Sequence, residues 1–449
     1  MRTPIADFVR EYAASGTARF HMPGHKGNPL LGCEPWDITE IGGADVLYSP
    51  DGIIEESENN ASSLFGSAHT FYSAEGSSLC IKAMLALVTA SKRTHKERPL
   101  ILAARNAHKA FLYACALLDL DVEWLLPKGD AHLCSCNVTP RDVEVALAAL
   151  DRAPAAVYLT TPDYLGNLCD VKGIGEVCSS YGIPLLVDNA HGAYLKFLNP
   201  SLHPLDLGAD LSCDSAHKTL PVLTGGAYLH ISKEAPREYA ERARAMLSLF
   251  ASTSPSYLIL QSLDLCNAYL AKDYPARLLA CVKEVGEIRQ MLTAQGWSVE
   301  STEPLKLVLS TPSYGYTGEE VAEHLCQSAL EAELADRTHL VLMITPENTP
   351  EELKRLCDAL LALPKREKLE ETIPPLQGKH ESVLSIREAI LSPHKKLPVG
   401  DAVGRVCATP TVSCPPAVPI VISGERITEE DLSLFAHYGI DIVDVVEEI

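Results

Sequence analysis

The sequence predicts an α/β protein with a mostly parallel sheet and a smaller α+β region toward the C-terminus, and three observations carry that expectation. From residue 77 onward, short β-branched or apolar runs alternate with amphipathic helical windows, the pattern of βαβ units. A long helical stretch then spans about 235 to 295. Beyond it, strand-like segments near 305–311 and 339–345 are interleaved with helices near 318–331 and 350–362.

The first sixty residues are rich in Gly and Pro and poor in periodicity, so they read as an arm that wraps over another surface. The pattern next predicts a helix over 77–92 and a strand over 100–104. Further strands are expected at 155–161, 183–188 and 227–231, with helices near 108–119, 139–150 and 171–181. A charged run over 364–382 marks a linker or exposed crossing, and a final block from about 381 ends in the acidic tail DIVDVVEEI. The expected organisation is an arm over 1–60, a large domain over 61–300, a small α+β domain over 301–380 and a C-terminal domain over 381–449.

With 449 residues, 47% of them hydrophobic and 22% charged, the chain is long enough to bury two or three cores. Its formal charge of −21 argues against nucleic acid or anionic lipid as a partner and leaves small cations compatible. No apolar run approaches the roughly 18 residues of a membrane span, and the start lacks a signal peptide's apolar stretch, so the expected address is the cytoplasm. The fourteen cysteines are scattered and read as reduced, buried small hydrophobes. Neither Cys134 with Cys136 nor Cys169 with Cys178 has a partner at zinc-site spacing, so no metal is expected.

Four segments carry candidate chemistry. In LLVDNAHGAY, Asp188 ends an apolar strand and His191 follows three residues on. Ligands of parallel sheets sit beyond the carboxyl ends of strands, although an Asp there also caps helices. In DSAHKTLPVLTGG, Ser215, His217 and Lys218 precede Gly225 and Gly226 in an apolar setting, where desolvation would lower the lysine pKa and free an amine for Schiff-base chemistry. Gly76, Ser77 and Ser78 open a helix, which makes a candidate phosphate cradle or a plain N-cap. His108 opens another helix and offers either a flat ring to stack on a cofactor or a simple cap. A strand-borne Asp followed by a Lys after Ser-x-His meets the needs of pyridoxal phosphate: an amine, a partner for the ring nitrogen, and hydroxyls for the phosphate.

Taken together, FHMPGHKG at 20–27, TEIGGADVLYSPDG at 39–52, AEGSS at 74–78, NAHKA at 106–110, VDNAHGAY at 187–194, DSAHK at 214–218 and ISGERIT at 422–428 resemble the bacterial ornithine/lysine/arginine decarboxylases. The resemblance runs in matching order over nearly the whole chain and looks like the short form, without a flavodoxin-like wing domain. It implies the aspartate aminotransferase fold (fold type I) with a mostly parallel seven-stranded sheet, pyridoxal 5'-phosphate as cofactor, and a homodimer or higher homo-oligomer with sites at its interface. By position it implies Lys218 as the lysine bonded to the cofactor and Asp188 as the partner of the ring nitrogen. His108 would stack on the ring, with His191 near the phenolic oxygen or the substrate carboxylate. Gly76, Ser77, Ser78, Ser215 and His217 would hold the phosphate. The arm would reach a neighbouring subunit.

The chain departs from the family pattern at Glu75, where a small Asn is usual, and at Cys414, Ala417 and Ser423, where Tyr, Gly and Pro are usual. The expected reaction is decarboxylation of arginine, lysine or ornithine to the corresponding amine, with orientation of the Cα–carboxylate bond selecting it over transamination. An aminotransferase or lyase on the same fold and a non-catalytic relative are the alternatives. Asp45, Asp51, Glu55 and Glu425 are candidate partners for the substrate's distal cation.

Overall fold

A computed structural model describes residues 1–90, 97–127, 132–135, 137–370, 373–374, 376, 379–410 and 417–447. Cys136, Cys414 and the expected helix end at 91–92 lie outside the described residues. The elements run α1 (Pro4–Ala14), α2 (Ile53–Phe65), β1 (His69–Ser73), α3 (Ser77–Thr89), β2 (Leu100–Ala104), α4 (Lys109–Leu118), β3 (Asp121–Leu125), α5 (Pro140–Ala149), β4 (Ala156–Thr160) and α6 (Val171–Tyr181). They continue with β5 (Leu185–Asp188), β6 (Leu211–Asp214), α7 (Ala216–Thr219), β7 (Ala227–Ile231), α8 (Arg237–Phe250), α9 (Tyr257–Leu270) and α10 (Tyr274–Ala294). The last part holds β8 (Ser298–Glu300), β9 (Lys306–Ser310), α11 (Gly318–Gln327), β10 (Leu334–Ala335), β11 (His339–Met343), α12 (Pro350–Ala362), α13 (Ile386–Leu391), β12 (His394–Pro398), α14 (Asp431–His437) and β13 (Ile442–Val446).

The largest sheet has seven strands in the order β1-β7-β6-β5-β4-β2-β3. β5 with β6, and β2 with β3 and β4, pair in parallel. β7 pairs antiparallel with both β6 and β1, so the AYLHI run is the one that reverses direction. The expected α/β class and its mostly parallel seven-stranded sheet are what the structure has.

Two compact units divide the chain, residues 1–92 with 178–278, and residues 93–177 with 279–449. In the first, α3 (SSLCIKAMLALVT) is apolar around most of its circumference and buried along most of its length, as a helix enclosed by other elements must be. It packs on α8 and over β5, β6 and β7. The first sixty residues are more than an arm: α1 starts with Pro4 at its first turn and buries Ile5, Ala6 and Val9 against its neighbours α2 and α9. The helix is amphipathic but only 11 residues long, and it stands ahead of a Gly- and Pro-rich stretch that dominates the reading of the first sixty residues. The long helical stretch after 235 is broken into α8, α9 and α10, and β1 and β3 were not among the expected strands.

Buried polar groups tie the first unit together. Asp264 on α9 accepts hydrogen bonds from the Ala6 N–H (3.0 Å) and the Ser57 hydroxyl (2.6 Å), joining α1 and α2. Asn267, one turn on, donates to the Tyr72 hydroxyl at 2.7 Å. Glu58, fully buried, is held by Arg244 of α8 (2.6 Å) and accepts the Tyr72 N–H (2.9 Å).

The second unit contains the parallel trio β2, β3 and β4 and an antiparallel sheet in the order β10-β11-β9-β8, with α11 against β11 and α12 against α11. α11, α12 and α13 each open with a capping box, Thr317 with Glu320, Thr349 with Glu352 and Ser385 with Glu388. The β12–β13 pair contributes Val443 and Val445 to a core with Ile420, Ile427, Leu434 and Phe435. Among the described residues no helix is long and apolar enough to cross a membrane.

Burial pushes the Asp264 carboxyl up to about 6, against the hydrogen bonds that oppose it. The folded chain therefore holds a proton that the unfolded chain has released between about pH 4 and about 6, so this group's contribution to stability falls as pH rises through that window. We expect urea unfolding at pH 4.5 and 6.5 to show Asp264→Asn losing about 1–2 kcal/mol of the wild-type decline across that interval. An unchanged decline would remove Asp264 as its source.

Candidate active site

β5 ends on Asp188, which is 2% exposed, at the carboxyl edge of parallel strands where the backbone turns away and leaves a crevice. Its Oδ1 accepts the Ala190 N–H at 3.2 Å, and the Cys213 thiol lies at 3.7 Å from the same oxygen. The chain then turns tightly through Asn189 to Gly192. A Cβ at Gly192 would lie 2.0 Å from Asn189 Oδ1, so only glycine lets this turn close and bring His191 back beside the strand end.

The next strand, β6, leads into Ser215 and the single turn α7, which carries His217 and Lys218. Lys218 Nζ donates to His191 Nε2 at 3.0 Å. The motif lysine is thus not a solvated surface charge but a half-buried amine against a buried imidazole. Ser215 donates to the Ser77 hydroxyl at 2.8 Å, which fastens α7 to the head of α3. Gly76 caps α3 and donates its N–H to the Gly225 carbonyl at 2.7 Å, while the next carbonyl, Gly226, accepts the His217 N–H (3.1 Å) and the ring Nδ1–H (3.0 Å). Burial, reinforced by the nearby Lys218 charge, lowers the His217 pKa and keeps the ring neutral. An anion beside it would favour the protonated ring instead.

The structure therefore brings Gly76, Ser77, Ser215 and His217 together around one helix N-terminus, with Ser78 in its first turn, and Lys218, His191 and Asp188 follow on the adjoining turns. The donor set suits an anion: a helix N-terminus, two linked hydroxyls, and a wall without side chains. Gly225 has φ +99°, and a Cβ there would lie 3.0 Å from the Ala74 carbonyl oxygen. Glu75 does not oppose this, because its carboxylate turns to accept the Ser252 N–H at 2.7 Å. A phosphate at the helix head with a carbonyl compound bonded to Lys218 fits these residues.

His108 belongs to the second unit, where it caps α4 with Nδ1 accepting the Ala110 N–H at 3.1 Å. The Ala417 carbonyl accepts the Lys109 N–H at 3.0 Å, and Ala417 itself has φ +58°, the left-handed region that explains why glycine is usual there. Ser423 is buried, and its hydroxyl has no partner among the described residues. Two of the four candidate cation partners are occupied otherwise. Asp45 accepts four backbone N–H groups, from Val46, Asp51, Gly52 and Ile54, and so organises the entry to α2. Glu425 accepts the Ile422 N–H and faces His380. Asp51 and Glu55 are exposed.

Sequence reasoning missed the support beneath this site. Asp214, the residue before Ser215, is fully buried, and its Oδ2 accepts from His203 Nε2 (3.0 Å) and His230 Nε2 (3.2 Å), while Asn189 donates to Oδ1 at 2.7 Å. Burial raises this carboxyl, but the two imidazoles outweigh burial and hold it below the usual carboxylate range. The three groups cluster closely enough to hold a metal ion. The hydrogen bonds favour a different state: His203 Nδ1 accepts the Leu205 N–H and His230 Nδ1 meets the Thr70 hydroxyl, so both Nε2 atoms carry protons toward Asp214. Only strand pairing reveals this group, since its members lie 11 to 27 positions apart in sequence. Most of the described cysteines are buried, as expected.

Solved chains with this architecture give its class. Lysine decarboxylase LdcF of Francisella novicida matches with a TM-score of 0.80 over 99% of this chain and 81% of its own, at 16% identity. The constitutive lysine decarboxylase of Escherichia coli matches with a TM-score of 0.77 over 99% and 82%, at 17% identity. The fold is fold type I, shared with these enzymes. The family follows from sequence: the model described as Orn/Lys/Arg decarboxylase, major domain, matches residues 3–311, and the chain belongs to that family. Among its relatives, the uncharacterized protein YaaO of Bacillus subtilis (strain 168) is 31% identical over 96% of this chain and 93% of its own length. An arginine decarboxylase of the same organism is 29% identical over 96% and 92%.

Gly225→Ala tests the cradle. Forcing a Cβ into the left-handed region against the Ala74 carbonyl should cost about 1–3 kcal/mol in urea unfolding. Gly182, which also has positive φ but open space around its Cβ, should cost less when changed to Ala. Equal losses would show that the Ala74 contact adds nothing.

Proposed function

We propose that the protein is a pyridoxal-phosphate-dependent decarboxylase that converts arginine, lysine or ornithine to agmatine, cadaverine or putrescine. The observation that carries this reading is the 3.0 Å contact between Lys218 Nζ and His191 Nε2, beside a buried carboxylate at a strand end and a hydroxyl-lined helix head, in a chain of this family. When bound, the cofactor supplies an electron sink for the pair released with carbon dioxide.

The residues divide the work. Lys218 would hold the cofactor through its amine, and Asp188 would keep the ring nitrogen protonated. Ser77, Ser78, Ser215 and His217, with the Gly76 backbone, hold the phosphate. His108, by the family resemblance, covers the ring face. His191 or Lys218 returns a proton to Cα, for which their mutual hydrogen bond provides a route. A site that orients the substrate's Cα–carboxylate bond for cleavage would select decarboxylation over transamination. Unbridged cysteines fit a reducing compartment, and the cytoplasm is the proposed address.

The same reading includes a homodimer. Residues 17–37 form a braced loop: Arg19 donates to the carbonyls of Glu34, Pro35 and Asp37, and the Glu34 carboxylate accepts the N–H groups of Leu30, Leu31 and Gly32. Those backbone bonds, led by Leu31, hold the Glu34 carboxyl at about 2. The rigid loop presents Phe20, Leu30 and Leu31 at 96%, 90% and 89% exposure. A second copy of the chain is the proposed cover for this apolar surface.

Purified protein with pyridoxal phosphate, incubated separately with arginine, lysine and ornithine, should release carbon dioxide and one dominant amine, and Lys218→Ala should release neither. Keto acid in place of amine would point to an aminotransferase, and no product from any of the three would overturn the reading. Phe20→Asp combined with Leu31→Asp should shift sedimentation from dimer to monomer; a dimer that survives both changes excludes the loop as its contact.

A further inference from the structure

One buried nucleophilic group beside the site has no part in the scheme above. Cys213 sits opposite Asp188 in the parallel register of β5 and β6, has no exposed surface, and places Sγ 3.7 Å from Asp188 Oδ1. A carboxylate oxygen can only accept here, so the thiol is the donor. Burial, and next the field of Asp188, push the thiol pKa far up and keep the proton on sulfur. The Ala190 N–H reaches the same oxygen at 3.2 Å, toward the long end of the range for a strong bond. Both the Ala190 N–H and the Cys213 S–H are modest donors to Oδ1, and removing the thiol takes away one of the groups that hold the carboxylate. The neighbouring β6 side chains, Ser212 and Asp214, turn to the opposite face, where Asp214 meets His203 and His230.

We propose that Cys213 is a positioning residue, whose S–H holds Asp188 Oδ1 so that the carboxylate stays directed at the ring nitrogen of the cofactor. This inference rests on the pyridoxal phosphate reading given above. It distinguishes a donor from a small apolar filler, the commoner use of a buried cysteine.

The test uses the holoenzyme without substrate. Cys213→Ala and Cys213→Val remove the donor, one smaller and one similar in size, and Cys213→Ser retains it. Two quantities are measured: the pH midpoint of the bound cofactor's absorption band, and the dissociation constant for pyridoxal phosphate from titration of the apoprotein. A carboxylate no longer facing the ring nitrogen leaves the ring less electron-poor, and the lysine nitrogen bonded to it becomes more basic. Ala and Val should therefore raise the midpoint by about half a pH unit or more and weaken binding several-fold, while Ser stays near wild type. Wild-type behaviour of either Ala or Val, or a shift in Ser as large as theirs, overturns the proposal. A wild-type protein that binds no pyridoxal phosphate and develops no band overturns the cofactor reading itself.

Discussion

The parallel register between β5 and β6 is the constraint on which the site depends. It sets Asp188 opposite Cys213 and starts the next turn so that Lys218 returns to His191. Side chains alternate along β6, so a slip of one residue would exchange the faces of Cys213 and Asp214. A thiol would then replace a carboxylate among two imidazoles, and a second charge would stand against Asp188. The all-apolar, fully buried stretch Leu185–Val187 does not fix a register by its pattern, and the Asn189 to Asp214 hydrogen bond pins it.

Buried charge is handled in three ways in this strongly acidic chain. Asp214 stays ionised because two imidazoles and an amide donate to it. Glu58 is held by the Arg244 guanidinium. Elsewhere burial outweighs the partners and raises the pKa: Asp264 reaches about 6 despite its donors, and Glu303, 3.7 Å from the buried Lys306 amine, still reaches about 7. The residues that flank the chemistry are thus held by donors of fixed position, whereas the titrating carboxylates lie away from it.

Departures from the family pattern have separate physical outcomes. Glu75 looks hostile to a phosphate in sequence, yet its carboxylate is engaged by the Ser252 N–H and the helix head keeps its character. Ala417 accepts a left-handed backbone that glycine adopts at lower cost. Ser423 replaces a residue with no hydroxyl and leaves that hydroxyl buried without a partner among the described residues. The first change is compensated within the chain, and the other two lie in the C-terminal region.

The sequence by itself determined the class of fold and the chemically distinctive residues, because both are local properties. Strands at 100–104 and 227–231 and helices opening at 77 and 350 follow from periodicity and caps, and the order Asp188, His191, Ser215, His217, Lys218 is readable as a motif. Family resemblance supplied roles that spacing could not. Tertiary structure alone decided that β7 reverses direction, that α1 joins a core, and that Asp45 belongs to backbone N–H groups rather than to open solvent. It also decided that His203 and His230 meet Asp214 and that Cys213 lies against Asp188. Those facts rest on contacts between residues far apart in the chain, whose energies depend on burial and pairing geometry and leave no periodic trace in the order of amino acids.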